Sequence, residues 1–507
     1  MPRNPGPAPK NQCTIIKFIR TSFNFPCRAL GLSLDAMTSN SRRSWIPRLN
    51  ITVSVLFAAF IVKAGAEALP DEAVAKAASK AATQAWSGVP EILARIVPPV
   101  FPARDFGVTN FEAIADGATD CTEAFRRAIE ACHDAGGGRV MVPPGTFLTG
   151  AIHLRSNVNL HLEKGATLRF STDPLKYLPV VFTRYECTEV MNYSPFIYAL
   201  GQENVAITGE GTLDGQGSAG VWYQWKKTDD ANRLVEMGKQ GVPVEQRVFG
   251  GGHHLRPNFI EPARCRNVLI EGVHITNSPM WVLHPLYSTN VTVRNVTVET
   301  KGPNTDGCDP DSCTDVLIQN CSFSDGDDCI AIKSGRDADG RRVNIPCQNL
   351  VIRDCVFKEG HGGVAMGSET SGGIRNVFAE NCRFDSSDLD AAMRFKTNPA
   401  RGGFIENVYL RNCSVKTAKV GIHMTMRYGS SGARDGDSIP VVRNIDIRDS
   451  TFGDLTRQAV FIEGYSPSIQ ITDVTIAHCE FLKSQGASYM TNASRVHVIA
   501  TRGSGIE

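Results

Sequence analysis

The chain has 507 residues, with 53 basic and 52 acidic side chains, for a net charge of +1. That balance argues against a general nucleic-acid-binding surface, there is no long acidic tail, and 42% hydrophobic residues is a soluble globular composition. The 46 glycines and 27 prolines, with few long helical patterns, favour a turn-rich β protein.

Residues 1–68 do not read as part of the fold. The basic segment Arg42-Arg43-Ser44-Trp45-Ile46-Pro47-Arg48 precedes an apolar run over 51–62, followed by the small residues Ala64, Gly65, Ala66 and Ala68. This is the order of a signal peptide, with an apolar core too short for a membrane span. Cleavage is expected near Ala66 or Ala68, with Met37 as a candidate start. The mature protein is expected to be exported, secreted or periplasmic, with no membrane association after cleavage. Ser41-Arg42-Arg43 with Lys63 after the core points weakly to twin-arginine export. An amino-terminal membrane anchor is the competing reading. Residues 69–100 are alanine-rich and end at Pro98-Pro99, which predicts a mobile leader or a packing helix.

The third segment, residues 101–507, carries the fold. Asp120-Cys121-Thr122-Glu123 opens an amphipathic helix with Phe125, Ala128, Ile129 and Cys132 on one face, stopped by Gly136-Gly137-Gly138. A short helix ahead of a repetitive β domain is expected to cap one end of it. The rest is a repeat. Asn267–Ile275 matches Asn290–Val298, and further copies start at Asp315, Asn349, Asn376, Asn407, Asn444 and Asp473, with looser ones at Asn157 and Asn204. Each copy alternates with period two, so each is a strand, and each is too short to bury a core alone. Stacked copies of one orientation predict an all-β fold, a parallel β-helix of about ten coils with an N-terminal capping helix.

The sixth repeat position holds Asn295, Asn320, Asp354, Asn381, Asn412 or Asp449, residue types that tolerate a left-handed corner. The seventh holds Cys321, Cys355, Cys382, Cys413 and Cys479, which reads as an internal column of small apolar side chains. Cys308/Cys313 and Cys329/Cys347 are left as possible disulfides. Of the 15 cysteines none forms a CxxC pair or a Cys/His cluster at zinc spacing, so no structural zinc is expected.

The internal alignment gathers the chemistry. Asp325-Gly326-Asp327-Asp328 packs three carboxylates into four residues, and like charges this close resist joint ionisation, which suits one proton donor beside one ionised base. Asp327 and His361 each lie six residues past their cysteine, so they are expected on adjacent coils, roughly 5 Å apart. Asp390 falls level with Asp327, Arg394 with Ala331, and Lys396 with Lys333. Met393 and Phe395 then point inward. Asp306 comes from the coil before, and Tyr428 is expected one coil after Lys396. Asp325 reads as a turn residue. A carboxylate cluster capped by a cationic pair is what hydrolysis of an acidic sugar polymer requires.

The motifs Asn304-Thr305-Asp306, Gly326-Asp327-Asp328, Gly360-His361-Gly362 and Arg394-Phe395-Lys396, in that order, resemble glycoside hydrolase family 28, the polygalacturonases. The likeness runs from about Phe101 to the C-terminus. It implies a right-handed parallel β-helix and an inverting hydrolysis of α-1,4-galacturonosidic bonds of polygalacturonate, with no metal and no cofactor. By the same resemblance Asp327 is the general acid, Asp306 and Asp328 orient and deprotonate water, and His361 tunes or relays the proton. Arg394 and Lys396 bind substrate carboxylates, and Tyr428 lines a neighbouring subsite. The usual inverting pair stands roughly 6.5–9.5 Å apart. Residues 334–342 and 367–373 look like the bacterial exo-acting branch, and the insertion at 215–258 could wall off one cleft end. The partner is an acidic polysaccharide, and the chain is expected to act as a monomer. Competing readings are an endo-acting or rhamnogalacturonan-directed relative, a non-catalytic β-helix that binds acidic glycans, and a calcium-dependent pectate lyase.

Overall fold

The computed structural model describes residues 71–506, apart from Ser387 and residues 430–435. The expected export signal lies outside the described residues, and among them no helix is long and apolar enough to cross a membrane. From Asp105 onward the chain coils repeatedly through three parallel sheets, for example Thr314–Gln319, Ser322–Ser324 and Ile330–Ile332, before returning to the first sheet at Cys347–Arg353. The first and second sheets hold thirteen strands each, and the third face consists of a three-stranded sheet, isolated bridges and a six-stranded sheet. This is a right-handed parallel β-helix. The ten repeats visible in the sequence are ten of the thirteen strands of the first sheet. The other three are Asp105–Gly107 and Gly138–Val142 at one end and Ala493–Ile499 at the other.

Period-two alternation sends one face of each strand inward. Val316 and Ile318, Leu350 and Ile352, Val377 and Ala379, then Val408 and Leu410 form fully buried rows between the sheets. The corner positions hold as expected: Asn295, Asn320, Asp354, Asn381, Asn412 and Asp449 all have φ between 49° and 58°. Cys321, Cys355, Cys382 and Cys413 follow these corners and are buried, as is Cys479 after a left-handed His478, and Ser450 takes the same place between Cys413 and Cys479. The thirteen described cysteines are all free thiols, which corrects the two candidate disulfides. Cys313 and Cys347 instead direct their thiols at the carbonyls of Pro285 and Pro310, each within its own packing environment.

The first repeat position, seen in sequence only as a marker, forms a second device. Asn376 donates to Asn349 Oδ1 at 3.0 Å, Asn407 to Asn376 at 3.1 Å and Asn444 to Asn407 at 2.7 Å. The row continues upward from Asn349 to Asp315, and Asn290, Asn267, Asn204 and Asn157 form a matching row in the earlier coils. Each member also sits in the left-handed region, so the side chain both tolerates the corner and ties it to the next coil.

Thr122–Asp134 forms the expected helix, and its buried face of Phe125, Ala128, Ile129 and Cys132 lies against the first strands of the stack, with Phe125 edge-on to Phe147. Residues 69–100 are not a loose leader where they are described. Helices Asp71–Ser87 and Val89–Arg95 lay Trp86, Val89 and Ile92 on the outer face of the first sheet, over Leu317, Val351, Phe378 and Tyr409. Those four stand in one register column, an apolar strip that would face water without the helices.

Replacing Asn376 by Ala removes both ladder bonds and leaves a β-carbon in a left-handed corner. We expect a loss of about 1–3 kcal/mol of unfolding free energy, read by chemical denaturation. An unchanged midpoint would show that the ladder carries no stability.

Candidate functional site

The site lies where each coil leaves the second sheet and enters the third. Backbone pairing there runs Ile330↔Val364↔Met393, so the short segments just before these strands are stacked as well. Asp327 and His361 meet as expected: His361 N–H donates to Asp327 O, and the His361 Nδ1 lies 3.0 Å from Asp327 Oδ1. Arg394 pairs with Ala365, which pairs with Ala331, and Lys396 pairs with Gly367. Met393 and Phe395 point inward. Asp390 precedes its strand at the level of His361 and reaches Arg394 and Lys419 at 3.6 and 2.9 Å.

Two glycines make this crowding possible. A β-carbon at Gly326 would lie 2.3 Å from the Gly302 carbonyl oxygen, and one at Gly362 would lie 2.7 Å from Asp328 Oδ1. The GDD and GHG spellings are therefore steric requirements as much as chemical ones.

The nearest carboxylate oxygens of Asp306, Asp327 and Asp328 all lie within 4.8 Å of one another, close enough to share one cation. This is tighter than the 6.5–9.5 Å expected for an inverting pair. The three acids are unequal. Asp306 and Asp328 are buried, and Asp327 alone is partly exposed. Burial, with Asp327 adding, pushes the Asp306 carboxyl up to about 8. Asp328 is as deeply buried, yet Lys396, Arg394 and Lys333 outweigh that and hold it down to about 2. Arg394 Nη1 lies 3.2 Å from Asp328 Oδ1, and Lys396 Nζ donates to Oδ2, so both oxygens are taken. The hydrogen bond to Asp327 raises the His361 pKa above its ordinary value.

The structure adds the surroundings of three of these residues. Lys396 is 4% exposed, and its ammonium pairs with Asp328. Tyr428 lies one coil after Lys396, as expected: Lys396 pairs with Thr425, the Tyr428 N–H bonds Thr397 O, and the Tyr428 ring comes within 5.2 Å of the Lys396 ammonium. Asp325 stands in the turn between two strands, as expected, but it is buried. It is enclosed beside the Cys329 thiol, and burial pushes its carboxyl well above the usual range.

Sequence reasoning also passed over Lys333. Burial works against its charge, but Glu369, Asp306 and Asp309 outweigh it and raise its pKa, with Nζ–O distances of 3.2, 3.7 and 3.7 Å. Its ammonium also lies 4.9 Å from the Trp281 ring centroid. The signal was present, since Lys333 aligns with Lys396, but an isolated strand lysine has no motif around it.

The insertions meet across the third sheet. The hairpin Val181–Tyr185/Thr188–Asn192 lies over its outer face, where Arg184 pairs with Asp311 at 2.6 Å and Thr183 bonds Glu261. Glu261, His284 and Asp311 are buried under it, and Arg184 of the hairpin is buried with them. The helix Asp230–Lys239 and the helix Asp337–Val343 brace the hairpin, with a buried Arg247–Asp339 pair at 2.8 Å and the Glu189 N–H on Asp339. Arg256, from the same 215–258 insertion, reaches Asn304 Oδ1 at 2.7 Å, two residues from Asp306. The sheet face is thus covered on the N-terminal side of the acids, and beyond Arg394 no described hairpin or helix lies over it.

A model of glycosyl hydrolases family 28 matches residues 132–496, which include every one of these acids and cations. The chain belongs to glycosyl hydrolases family 28. A probable polygalacturonase of Vitis vinifera is 33% identical over 391 residues, spanning 74% of either chain. The exo-poly-alpha-D-galacturonosidase of Dickeya chrysanthemi is 28% identical over 422 residues, 74% of this chain and 66% of that protein. Among solved structures, a hyperthermoactive exopolygalacturonase from Thermotoga maritima superposes with a TM-score of 0.79 at 42% identity, covering 83% of this chain and 97% of that one. A family 28 member is a glycoside hydrolase, which sets aside the lyase and the non-catalytic glycan-binding readings.

The geometry predicts a coupled effect for Lys396→Met. Losing the ammonium frees the buried Asp328 carboxyl to rise from about 2. If Asp328 acts as an ionised base, the acid limb of the kcat/KM profile moves to higher pH, with kcat falling as well as KM rising. A change in KM alone would return Lys396 to a purely substrate-binding role.

Proposed function

We propose that this chain is an exo-acting polygalacturonase that hydrolyses α-1,4-galacturonosidic bonds of polygalacturonate with inversion, and that it works outside the cytoplasm as a monomer. The observation that carries this reading is the inequality of the acid trio. Asp327 is the only member open to the cleft, and it stands beside an ionised Asp328 and a histidine of raised pKa.

In this mechanism Asp327 protonates the glycosidic oxygen as the C1–O bond breaks, and a water attacks C1 from the opposite face. Asp328 takes the water's proton and faces the positive charge that builds at C1. Asp306, which keeps its proton at neutral pH, orients that water by hydrogen bonding. This differs from a role as second base. His361 returns a proton to Asp327 after each turnover. The tight trio then requires the water to sit beside the acids, where the usual inverting layout places it between them.

Arg394, part-exposed above the trio, is the substrate carboxylate's partner, with Tyr428 beside it. Exo action is supported by the sheet face covered by residues 181–192, which leaves room for a chain end on that side, and by the likeness to exo-acting relatives. Export is supported by the signal-like order of residues 1–68.

Asp327→Asn is expected to lower hydrolysis of polygalacturonate by about 10²–10⁴-fold with an unchanged circular dichroism spectrum; near-normal activity would sink the acid assignment. In a time course on polygalacturonate, mono- or digalacturonate alone should appear from the start, with the new reducing end first in the β configuration by NMR. An early ladder of oligomers would mean endo action, and an initial α anomer would mean retention.

A further inference from the structure

The open part of the third sheet carries a feature that the reaction itself does not use. The backbone pairing sets Arg394, His423, Phe461 and Tyr489 in one column, one residue per coil, on the outward face. His423 and Phe461 are half-buried, and Tyr489 is 45% exposed. Their rings stack face to face, with centroids 4.9 Å apart at 25° and 5.0 Å apart at 27°. The spacing is that of the coils themselves, so the rings stand like plates in a rack and present a continuous apolar ridge to the cleft. The ridge begins at Arg394 and runs away from the covered end.

His423 holds no charge at neutral pH: burial and the Arg394 cation lower its pKa to about 4. The charges lie at the flanks. On the edge facing the acids, Lys419 pairs with Asp390 at 2.9 Å, and the next coil brings Arg457, an exposed residue whose N–H bonds Lys419 O. On the far edge stand Glu463, bonded to Thr425, and Arg427, whose guanidinium binds Tyr465 O. The cations therefore concentrate on the Arg457 side, and Glu463 disfavours a carboxylate on the other.

We propose that this ridge is a binding track for the polygalacturonate chain on the leaving-group side of the scissile bond. The apolar faces of successive sugar rings ride over His423, Phe461 and Tyr489, and their carboxylates turn toward Lys419 and Arg457. The track rests on the polygalacturonase reading above and deepens it. It is continuous with the acid site through Arg394, and a pyranose unit spans about one coil, so Phe461 and Tyr489 contact units that only longer substrates possess. A track of this kind holds the polymer after an end unit departs and leaves short oligomers to the acid site alone.

The test compares kcat/KM for polygalacturonate and for trigalacturonate in Phe461→Ala, Phe461→Leu and Tyr489→Ala, with thermal melts of each. The polymer-to-trimer ratio should fall about three- to tenfold in the two alanine variants and less in Phe461→Leu, which keeps apolar bulk. Arg457→Gln should lower the same ratio at low salt and lose its effect at high salt. Equal falls on both substrates, or an unchanged ratio in Tyr489→Ala, would overturn the track. If the wild-type protein cleaves neither galacturonate, the polygalacturonase reading fails first. A wild type that cleaves both, with ratios insensitive to these changes, leaves that reading standing and removes the track alone.

Discussion

Every part of this site depends on the parallel backbone pairing that holds one coil in register with the next. Neighbouring rungs lie about 4.8 Å apart, so residues some thirty positions apart in sequence become lateral neighbours. Asp327 meets His361 because Ile330 pairs with Val364, and Arg394 reaches Asp328 because Val364 pairs with Met393. A slip of one residue in the Ala391–Lys396 strand would turn Arg394 and Lys396 into the core and bring Met393 and Phe395 out. The asparagine rows, the left-handed corners and the cysteine column all act on that one constraint, fixing where each turn falls.

Within the register, unequal neighbours differentiate chemically identical acids. Asp306 and Asp328 are equally enclosed, and burial alone would keep both protonated. Asp328 escapes because Lys396 and Arg394 are directed at it from two coils further on. Lys333 divides its single charge among Asp306, Asp309 and Glu369, which leaves Asp306 short of compensation. Buried charge pairs of this kind are weak contributors to stability. Their value here is the division of labour they impose, and the apolar rows between the sheets carry the folding free energy.

Much of this was legible before any coordinates. The Asn-led repeats gave the strands and their stacking, because a corner that needs a left-handed residue leaves a visible mark. Internal alignment then placed Asp327 against His361 and set Arg394 and Lys396 on one face. Tyr428 lies past the end of its strand, so alignment gave its coil but not its exact level. The burial of Asp325 was not visible because a turn composition says nothing about what packs over it. The Lys396–Asp328 pair was not visible because alignment gives the level of a side chain along the stack and not what it touches.

The sequence by itself determined the period, the corners and the row in which the reactive side chains stand, since those follow from local conformational preference repeated coil after coil. Only the tertiary structure decided how protons divide among the three acids, which depends on distances across coils and on depth from solvent. It also decided that the hairpin and two helices close one side of the sheet face, through pairs such as Arg184–Asp311 and Arg247–Asp339 that span 127 and 92 residues. Contacts between irregular insertions follow no period, and so they leave no trace in a pattern of repeats.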